Sequence, residues 1–299
     1  MNPLQVRSSD GTPIAVFEVM APDAGAAGVP RRERSHPADR PPLLLVHGAT
    51  ADHTTWRAVG PRFAVTRRVF AMDRRGRGAS GDAPDYAIER EFEDVAAVSE
   101  AIAAEVAQGS AAAADVVGHS YGGRCALGAS LLTPAIRRLV VYEGAPVPPG
   151  MSYRPPGLVD AVRAALARGD NDAALSAFLA GIVGMSDAGL EAYRRDPVWP
   201  ARVGAAHTIL REIEAEATEP ASLAGLAAVR APVLLILGSI SRSPFRIGTD
   251  ALAAQLADAR IDVIEGAAHA AHHTHAPEFV ELVERFLDGA LDTSPRIET

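Results

Sequence analysis

The chain has 299 residues, of which 48% are hydrophobic and 22% are charged, and its formal net charge is −8. This composition is typical of a soluble globular protein that is long enough for one large α/β domain with an insertion. The acidic balance argues against partners that are themselves anionic, such as nucleic acids and anionic membranes. A single cysteine, Cys125, excludes an intrachain disulfide and is expected to be a small buried hydrophobe.

Short apolar strands alternate with helical patterns along the chain, which predicts a mostly parallel sheet with helices on both faces. The first two strands, at 4–8 and 14–19, form a predicted hairpin, and residues 21–42 form a long exposed loop. Six further strands are predicted at 43–46, 68–72, 114–117, 139–142, 232–237 and 261–264. The main helices are predicted at 56–63, 92–106, 124–132 and 277–291.

Residues 146–229 carry no strand pattern. Helical patterns at 158–166 and 173–183 are broken by proline and glycine, which predicts a helical cap inserted between two core strands. We therefore expect an α/β core made of residues 1–145 and 230–299, and a cap made of residues 146–229.

The segment Gly118-His119-Ser120-Tyr121-Gly122-Gly123 lies between a predicted buried strand and a predicted helix. A serine flanked by glycines two positions away on each side, in a tight strand-to-helix turn, is typical of a nucleophile elbow. Ser120 is therefore the candidate nucleophile. The structural alternative is a glycine-rich turn in which Ser120 only caps the helix.

A serine hydroxyl is a weak nucleophile and needs a general base, for which a histidine near neutral pKa is suited. Because ligands bind at the carboxyl ends of strands in open α/β sheets, His269, just past the last predicted strand, is the first choice. His272 is the alternative. The cluster of His269, His272, His273 and His275 could also bind a metal, but its spacing matches no zinc motif. We expect two or three of these histidines to be exposed at the start of a helix.

The sequence offers several candidates for the residue that orients the histidine. The loop after the strand at 232–237 reads Gly238-Ser239-Ile240-Ser241-Arg242-Ser243-Pro244 and contains no acid, and Asp250 lies farther on in a predicted helix. Glu143 ends the strand next to the elbow strand, so its carboxylate could reach the same histidine. The alternatives are a different carboxylate or a Ser–His dyad without an acid.

Backbone amides are the expected oxyanion donors, namely those of Tyr121 after the nucleophile and of Ala49 in the segment His47-Gly48-Ala49. His119 is expected to pack or hydrogen-bond behind the nucleophile. The arginine-rich loop at 73–81 lacks the Gly-Lys-Ser ending of a phosphate-binding loop, so we interpret it as structural, with locally paired charges.

Together the segments HGA, DRRGRGASG, GHSYGG and GAAH, in this order, resemble the α/β-hydrolase family over nearly the whole chain. The resemblance implies the α/β-hydrolase fold, with a mostly parallel eight-stranded sheet and an inserted helical cap. It also implies hydrolysis of an ester, amide, lactone, epoxide, haloalkane or carbon–carbon bond. Serine at position 120 disfavours the epoxide and haloalkane branches, which use aspartate there. An acid after the sixth strand is a variant of the family, which favours Glu143.

The leading expectation is a serine hydrolase, a carboxylesterase that acts on small or medium acyl esters through an acyl-enzyme. Alternatives are a carbon–carbon bond or lactone hydrolase, which basic residues such as Arg124 would favour, and a non-hydrolytic small-molecule-binding protein. Apolar cap residues would line the pocket or pack inside the cap: Tyr153, Phe178, Leu179, Ile182, Met185, Tyr193 and Trp199.

We expect a small apolar ester or related molecule as the partner, neither a cofactor nor a metal, and no nucleic acid or membrane, while assembly into a homo-oligomer stays open. No signal peptide and no apolar run of membrane-spanning length is visible, so a cytoplasmic location is expected.

Overall fold

The computed structural model describes residues 3–22, 40–106 and 113–290, so most of the predicted loop at 21–42 lies outside the described residues. Eight strands form one sheet in the order β1-β2-β4-β3-β5-β6-β7-β8. Strands β1 and β2 are antiparallel to their neighbours, and all other neighbouring pairs are parallel. The strands are β1 (Leu4–Arg7), β2 (Pro13–Val19), β3 (Leu43–Val46), β4 (Val69–Met72), β5 (Ala114–His119), β6 (Ile136–Tyr142), β7 (Val233–Gly238) and β8 (Ala259–Ile264).

Strands β3, β4 and β7 are apolar and buried along their whole length because both faces of the sheet are covered. In β3, for example, Leu44 and Val46 pack in one apolar cluster with helices α2 (Ile88–Val106) and α3 (Tyr121–Ala129). The alternate residues Leu43 and Leu45 pack in a second cluster on the opposite face. The prediction of a mostly parallel eight-stranded sheet with helices on both faces is confirmed.

The remaining helices are α1 (Gly60–Phe63), α4 (Leu158–Ala167), α5 (Asn171–Phe178), α6 (Asp187–Tyr193), α7 (Trp199–Gly204), α8 (Ile209–Ala215), α9 (Leu223–Leu226), α10 (Ser243–Ala253), α11 (Ala271–Thr274) and α12 (Ala276–Leu287). The single helix predicted at 56–63 is instead a 3₁₀ turn, His53–Trp56, followed by α1. The helix predicted at 277–291 ends at Leu287, because Gly289 adopts a φ of 78°, which is outside the helical region.

Between the end of β6 and the start of β7, the described structure contains helices and turns. Helices α4 to α8 surround an apolar cluster of their own that extends from Leu158 to Ile213. The following residues, including Leu223 and Leu226, pack instead in a cluster of the main core. We call residues 158–213 the helical insertion; the assignment of 146–229 as a separate domain stays a prediction. No helix among the described residues is both long and apolar enough to cross a bilayer.

Two glycines allow α3 to lie directly against the ends of the central strands. A Cβ atom at Gly122 would overlap the carbonyl oxygen of His47 and lie 2.5 Å from that of Val46. A Cβ atom at Gly118 would lie 2.5 Å from the Cα atom of Gly123. Because these neighbours are backbone atoms, they cannot move aside as a flexible side chain would.

We expect Gly122→Ala to lower the free energy of unfolding by about 1–3 kcal/mol, because the added methyl group forces α3 away from β3. Urea denaturation checks this. Gly204→Ala is the matched control: Gly204 is helical, with a φ of −58°, and has open space around its Cβ position. That substitution should be neutral or slightly stabilising, and equal losses in both variants would contradict the argument.

Candidate active site

Ser120 occupies the turn between β5 and α3 with an unusual backbone conformation. Its φ is 53° and its ψ is −126°, which is rare for a residue with a side chain. The Ser120 amide donates a hydrogen bond to the carbonyl of Tyr142 at 2.8 Å, and the Ser120 carbonyl accepts one from Gly123 at 2.9 Å. Strained backbone of this kind costs about 1–3 kcal/mol and persists only where the surroundings impose it. The strand, tight turn and helix expected for the elbow are all present.

His269 and Glu143 are in direct contact, although they are 126 positions apart in sequence. The Nδ1 atom of His269 lies 2.6 Å from Oε2 of Glu143. A carboxylate can only accept hydrogen bonds, so Nδ1 carries a proton, and in the neutral form of the ring the lone pair is on Nε2. The ring of Phe245 stacks on that of His269 with a centroid distance of 4.4 Å, which restricts its rotation.

Glu143 is only 3% exposed, yet both of its carboxylate oxygens have partners. Oε2 faces His269, while Oε1 accepts hydrogen bonds from the amide of Gly238 at 2.9 Å and from the hydroxyl of Ser241. The loop at 238–244 thus supplies donors to the carboxylate of Glu143. Asp250, the other acid considered, is exposed on α10.

Tyr142, which is not among the site residues predicted from the sequence, anchors the loop that carries His269. Its hydroxyl donates to the carbonyl of Ala268 and accepts a hydrogen bond from the amide of Ala271 at 2.9 Å. These two contacts lie on either side of His269 in the chain. The feature of the sequence that could have indicated this role is the position of Tyr142, an aromatic residue directly before Glu143 at the end of the strand.

The two predicted oxyanion residues lie beside Ser120. A Cβ atom at Gly48 would be 3.0 Å from that of Ser120, which shows how closely this loop approaches the serine. The amide of Ala49 has no acceptor among the described residues. Tyr121 is the first residue of α3, so its amide has no acceptor within the helix. Both amides are therefore available to an anion.

The structure corrects the expectation that most of the neighbouring histidines are exposed. His272 is 2% exposed and packs against His119, with ring centroids 4.4 Å apart. Burial lowers the pKa of both rings well below its usual value, so they are neutral at pH 7. As expected, His119 hydrogen-bonds behind the serine turn, with Nε2 at 2.8 Å from the carbonyl of His269.

His273 and His275 complete the cluster. Burial, together with the nearby positive charges of Arg57 and Arg202, lowers the pKa of His273 to about 4. His275 is partly exposed and its Nδ1 lies 2.8 Å from the hydroxyl of Thr274.

Ser120 lies between two compartments beneath the helical insertion. The larger has a volume of about 240 Å³ and is lined by Ser120, His269 and five of the predicted apolar residues: Phe178, Leu179, Ile182, Met185 and Tyr193. No hydrogen bond joins the Ser120 and His269 side chains, both of which are within the described residues. The smaller compartment, of about 30 Å³, includes Tyr153. Trp199 packs within the insertion instead, and its Nε1 donates to Asp172 at 2.8 Å.

The arginines of the loop at 73–81 are buried and paired, as expected for a structural role. Arg74 contacts Glu91 of α2 at 2.6 Å and Glu212 of the insertion at 2.5 Å. Arg77 contacts the same two glutamates. Arg124 lines the smaller compartment and lies 3.4 Å from Glu216. The pairs that Glu212 forms with Arg74 and Arg77 fix the insertion to the core around the site.

The lowered pKa of His273 predicts a pH-dependent stability. The native ring stays neutral down to about pH 4, whereas the unfolded ring takes up a proton below its usual pKa of 6.5. The stabilisation is complete above pH 6.5 and is lost as the pH falls towards 4, by about 1 kcal/mol between about pH 7.5 and 5.5.

Urea denaturation at these two pH values should show a smaller loss of stability for His273→Gln than for the wild type. His207→Gln is the control, because His207 is exposed on the insertion. If the stability of His273→Gln depended on pH in the same way as that of the wild type, the lowered pKa of His273 would be contradicted.

Comparisons with known proteins agree with this architecture. Residues 43–282 match the sequence model of a family described as the alpha/beta hydrolase family. A solved structure of an alpha/beta hydrolase from Sphaerobacter thermophilus has a TM-score of 0.73 and 31% identity, and covers 94% of this chain and 100% of that chain.

Two curated relatives are hydrolases by name. The pimeloyl-[acyl-carrier protein] methyl ester esterase of Neisseria meningitidis serogroup B is 30% identical over 283 residues, which are 87% of this chain and 98% of the relative. The 2-hydroxymuconate semialdehyde hydrolase of a Pseudomonas species is 37% identical over 110 residues, which are 36% of this chain and only 37% of the relative. These similarities support a hydrolase, and the chain belongs to the alpha/beta hydrolase family.

Proposed function

We propose that this protein is a serine hydrolase, a carboxylesterase that cleaves small or medium acyl esters with Ser120 as nucleophile. The observation that carries the proposal is the 2.6 Å contact between Nδ1 of His269 and Glu143, at a cavity that His269 shares with Ser120. A histidine held in this tautomer presents Nε2 as a base, which is what a serine nucleophile requires.

In the proposed reaction, Oγ of Ser120 attacks the ester carbonyl carbon while its proton passes to Nε2 of His269. Glu143 stabilises the resulting imidazolium. The carbon–oxygen bond to the alcohol then breaks, and His269 gives its proton to the departing oxygen. Water repeats the sequence on the acyl-enzyme and releases the acid. The contact between Ser120 and His269 is expected to form when substrate binds, because such hydrogen bonds often tighten only in the substrate complex.

The amides of Ala49 and Tyr121 are the proposed oxyanion donors. Negative charge develops on the carbonyl oxygen during attack, and free, fixed amide groups stabilise it without reorganisation. The loss of one such donor typically costs about 3 kcal/mol of transition-state stabilisation. The close approach of Gly48 to Ser120 supports this arrangement.

The name of the Neisseria relative supports an ester as the scissile group. A carbon–carbon bond or lactone hydrolase with the same Ser120–His269 pair is the second candidate. It is favoured by Arg202 in the larger compartment and by the name of the Pseudomonas relative. Arg124, the basic residue first considered for this alternative, is paired with Glu216.

The wild type is expected to hydrolyse p-nitrophenyl esters, and Ser120→Ala to lose turnover, because the nucleophile is removed. A spectrophotometric series from acetate to decanoate measures both the activity and the acyl length that the site accepts. Equal turnover by the wild type and Ser120→Ala would contradict the proposal. Absence of turnover by either protein would favour the second candidate.

Glu143→Gln should lower kcat by about two to four orders of magnitude, because an amide at this position no longer holds the protonated Nδ1 tautomer. Steady-state kinetics on the best ester of the series measures this. Asp250→Asn, which removes the same charge from an exposed acid, is the matched control and should retain wild-type turnover. Near-wild-type turnover of Glu143→Gln would contradict the role of Glu143.

A further inference from the structure

Arg202 of helix α7 lines the larger compartment without a carboxylate partner. Its Nη1 atom lies 3.2 Å from the hydroxyl of Thr50 and 3.5 Å from the carbonyl of Ala49, and no described carboxylate lies within 4 Å. Arg57, which lines the same compartment, is paired with Asp196 at 2.7 Å. Of these two arginines, Arg202 is the one whose charge is not matched.

Two acids lie near this charge, and both have other partners. Asp196 pairs with Arg57, while Asp52 lines a small neighbouring cavity together with Arg202 and accepts hydrogen bonds from Thr54. His119, His272 and His273 are neutral at pH 7 because burial lowers the pKa of each ring. Their imidazoles therefore supply no negative charge. The ring of Tyr193 lies under the Arg202 guanidinium, with a distance of 5.5 Å from Cζ of Arg202 to the ring centroid. An aromatic ring attracts a cation but does not neutralise its charge. The residues that line the compartment with Ser120 thus include two arginines but one carboxylate, Asp196.

The position of Arg202 indicates which part of a substrate would meet this charge. In the proposed reaction His269 protonates the departing group, so that group must face the side of Ser120 where His269 lies. His269 and Arg202 both line the larger compartment, whereas Tyr121 and Glu143 line the smaller one. The departing group therefore lies in the larger compartment with Arg202.

We propose that the physiological substrate carries a carboxylate on its departing group, and that this carboxylate pairs with Arg202. The inference rests on the proposed function and specifies its substrate class. The planar guanidinium of arginine suits a carboxylate because it offers parallel donors. The apolar residues of the compartment, such as Phe178 and Leu179, would contact the hydrocarbon part of the same group.

A matched pair of substrates tests this: the acetyl ester of 3-hydroxybenzoate and that of 3-hydroxybenzamide. They share the acyl group and have similar departing phenols, and differ mainly in the negative charge. We expect the wild type to favour the anionic ester in kcat/KM by about 10- to 100-fold, as for a hydrogen bond between charged groups. Arg202→Met should lower kcat/KM for the anionic ester much more than for the neutral ester and so abolish this preference, and Arg202→Lys should restore part of it.

Arg195→Met is the matched control, because it removes the same charge from a side chain of the insertion that is 73% exposed and pairs with Glu191. It should retain the preference. Equal losses on both esters in Arg202→Met would overturn the inference, since they would mean that Arg202 only supports the loop at Ala49 and Thr50. A preference for an anionic acyl group, measured with monomethyl and dimethyl glutarate, would also overturn it.

The outcomes separate this inference from the proposed function. Turnover that depends on Ser120 but shows no preference for the anionic ester overturns the inference alone. Absence of Ser120-dependent turnover overturns the esterase proposal, and calorimetric binding to Ser120→Ala then still tests Arg202. In that case 3-hydroxybenzoate should bind more tightly than 3-hydroxybenzamide, and equal binding would overturn the inference.

Discussion

The close backbone contact between the β5–α3 turn and the end of β3 is the constraint on which the candidate site depends. Gly122 lies so near the carbonyls of Val46 and His47 that no side chain fits. This contact holds Ser120 at a φ of 53° and places it beside the loop of Gly48 and Ala49. The strain of the turn is offset by the buried sheet and helix on each side, since strained backbone persists only where its surroundings fix it.

The pairing of neighbouring strands brings Glu143 and His269 together. Strands β6, β7 and β8 are adjacent and parallel, so the residues that follow them lie at one edge of the sheet. A buried carboxylate is costly unless its oxygens are hydrogen-bonded. At Glu143 this requirement is met by His269 and by donors from the loop after β7. The same contacts that stabilise the buried charge also fix the histidine.

Charge also determines how the helical insertion meets the core. Glu212 of the insertion pairs with Arg74 and Arg77 of the loop after β4, and these groups are buried. A buried ion pair is costly to separate because each partner would lose its compensation. These pairs therefore hold the insertion against the core beside the smaller compartment, which Glu212 lines. Arg202, in contrast, has no described carboxylate within 4 Å, and this difference distinguishes it from the structural arginines.

The sequence by itself determined the fold, the elbow at Ser120 and which candidate residues follow which strands. Continuous apolar runs and glycine spacing are local patterns, so they can be recognised without the tertiary structure. The sequence also placed Glu143 and His269 at strand ends, but left open which acid and which histidine meet. Only the tertiary structure decided that contact, together with the burial of His272, the anchoring role of Tyr142 and the unmatched charge of Arg202. These properties depend on neighbours distant in the chain, and local periodicity carries no information about such neighbours.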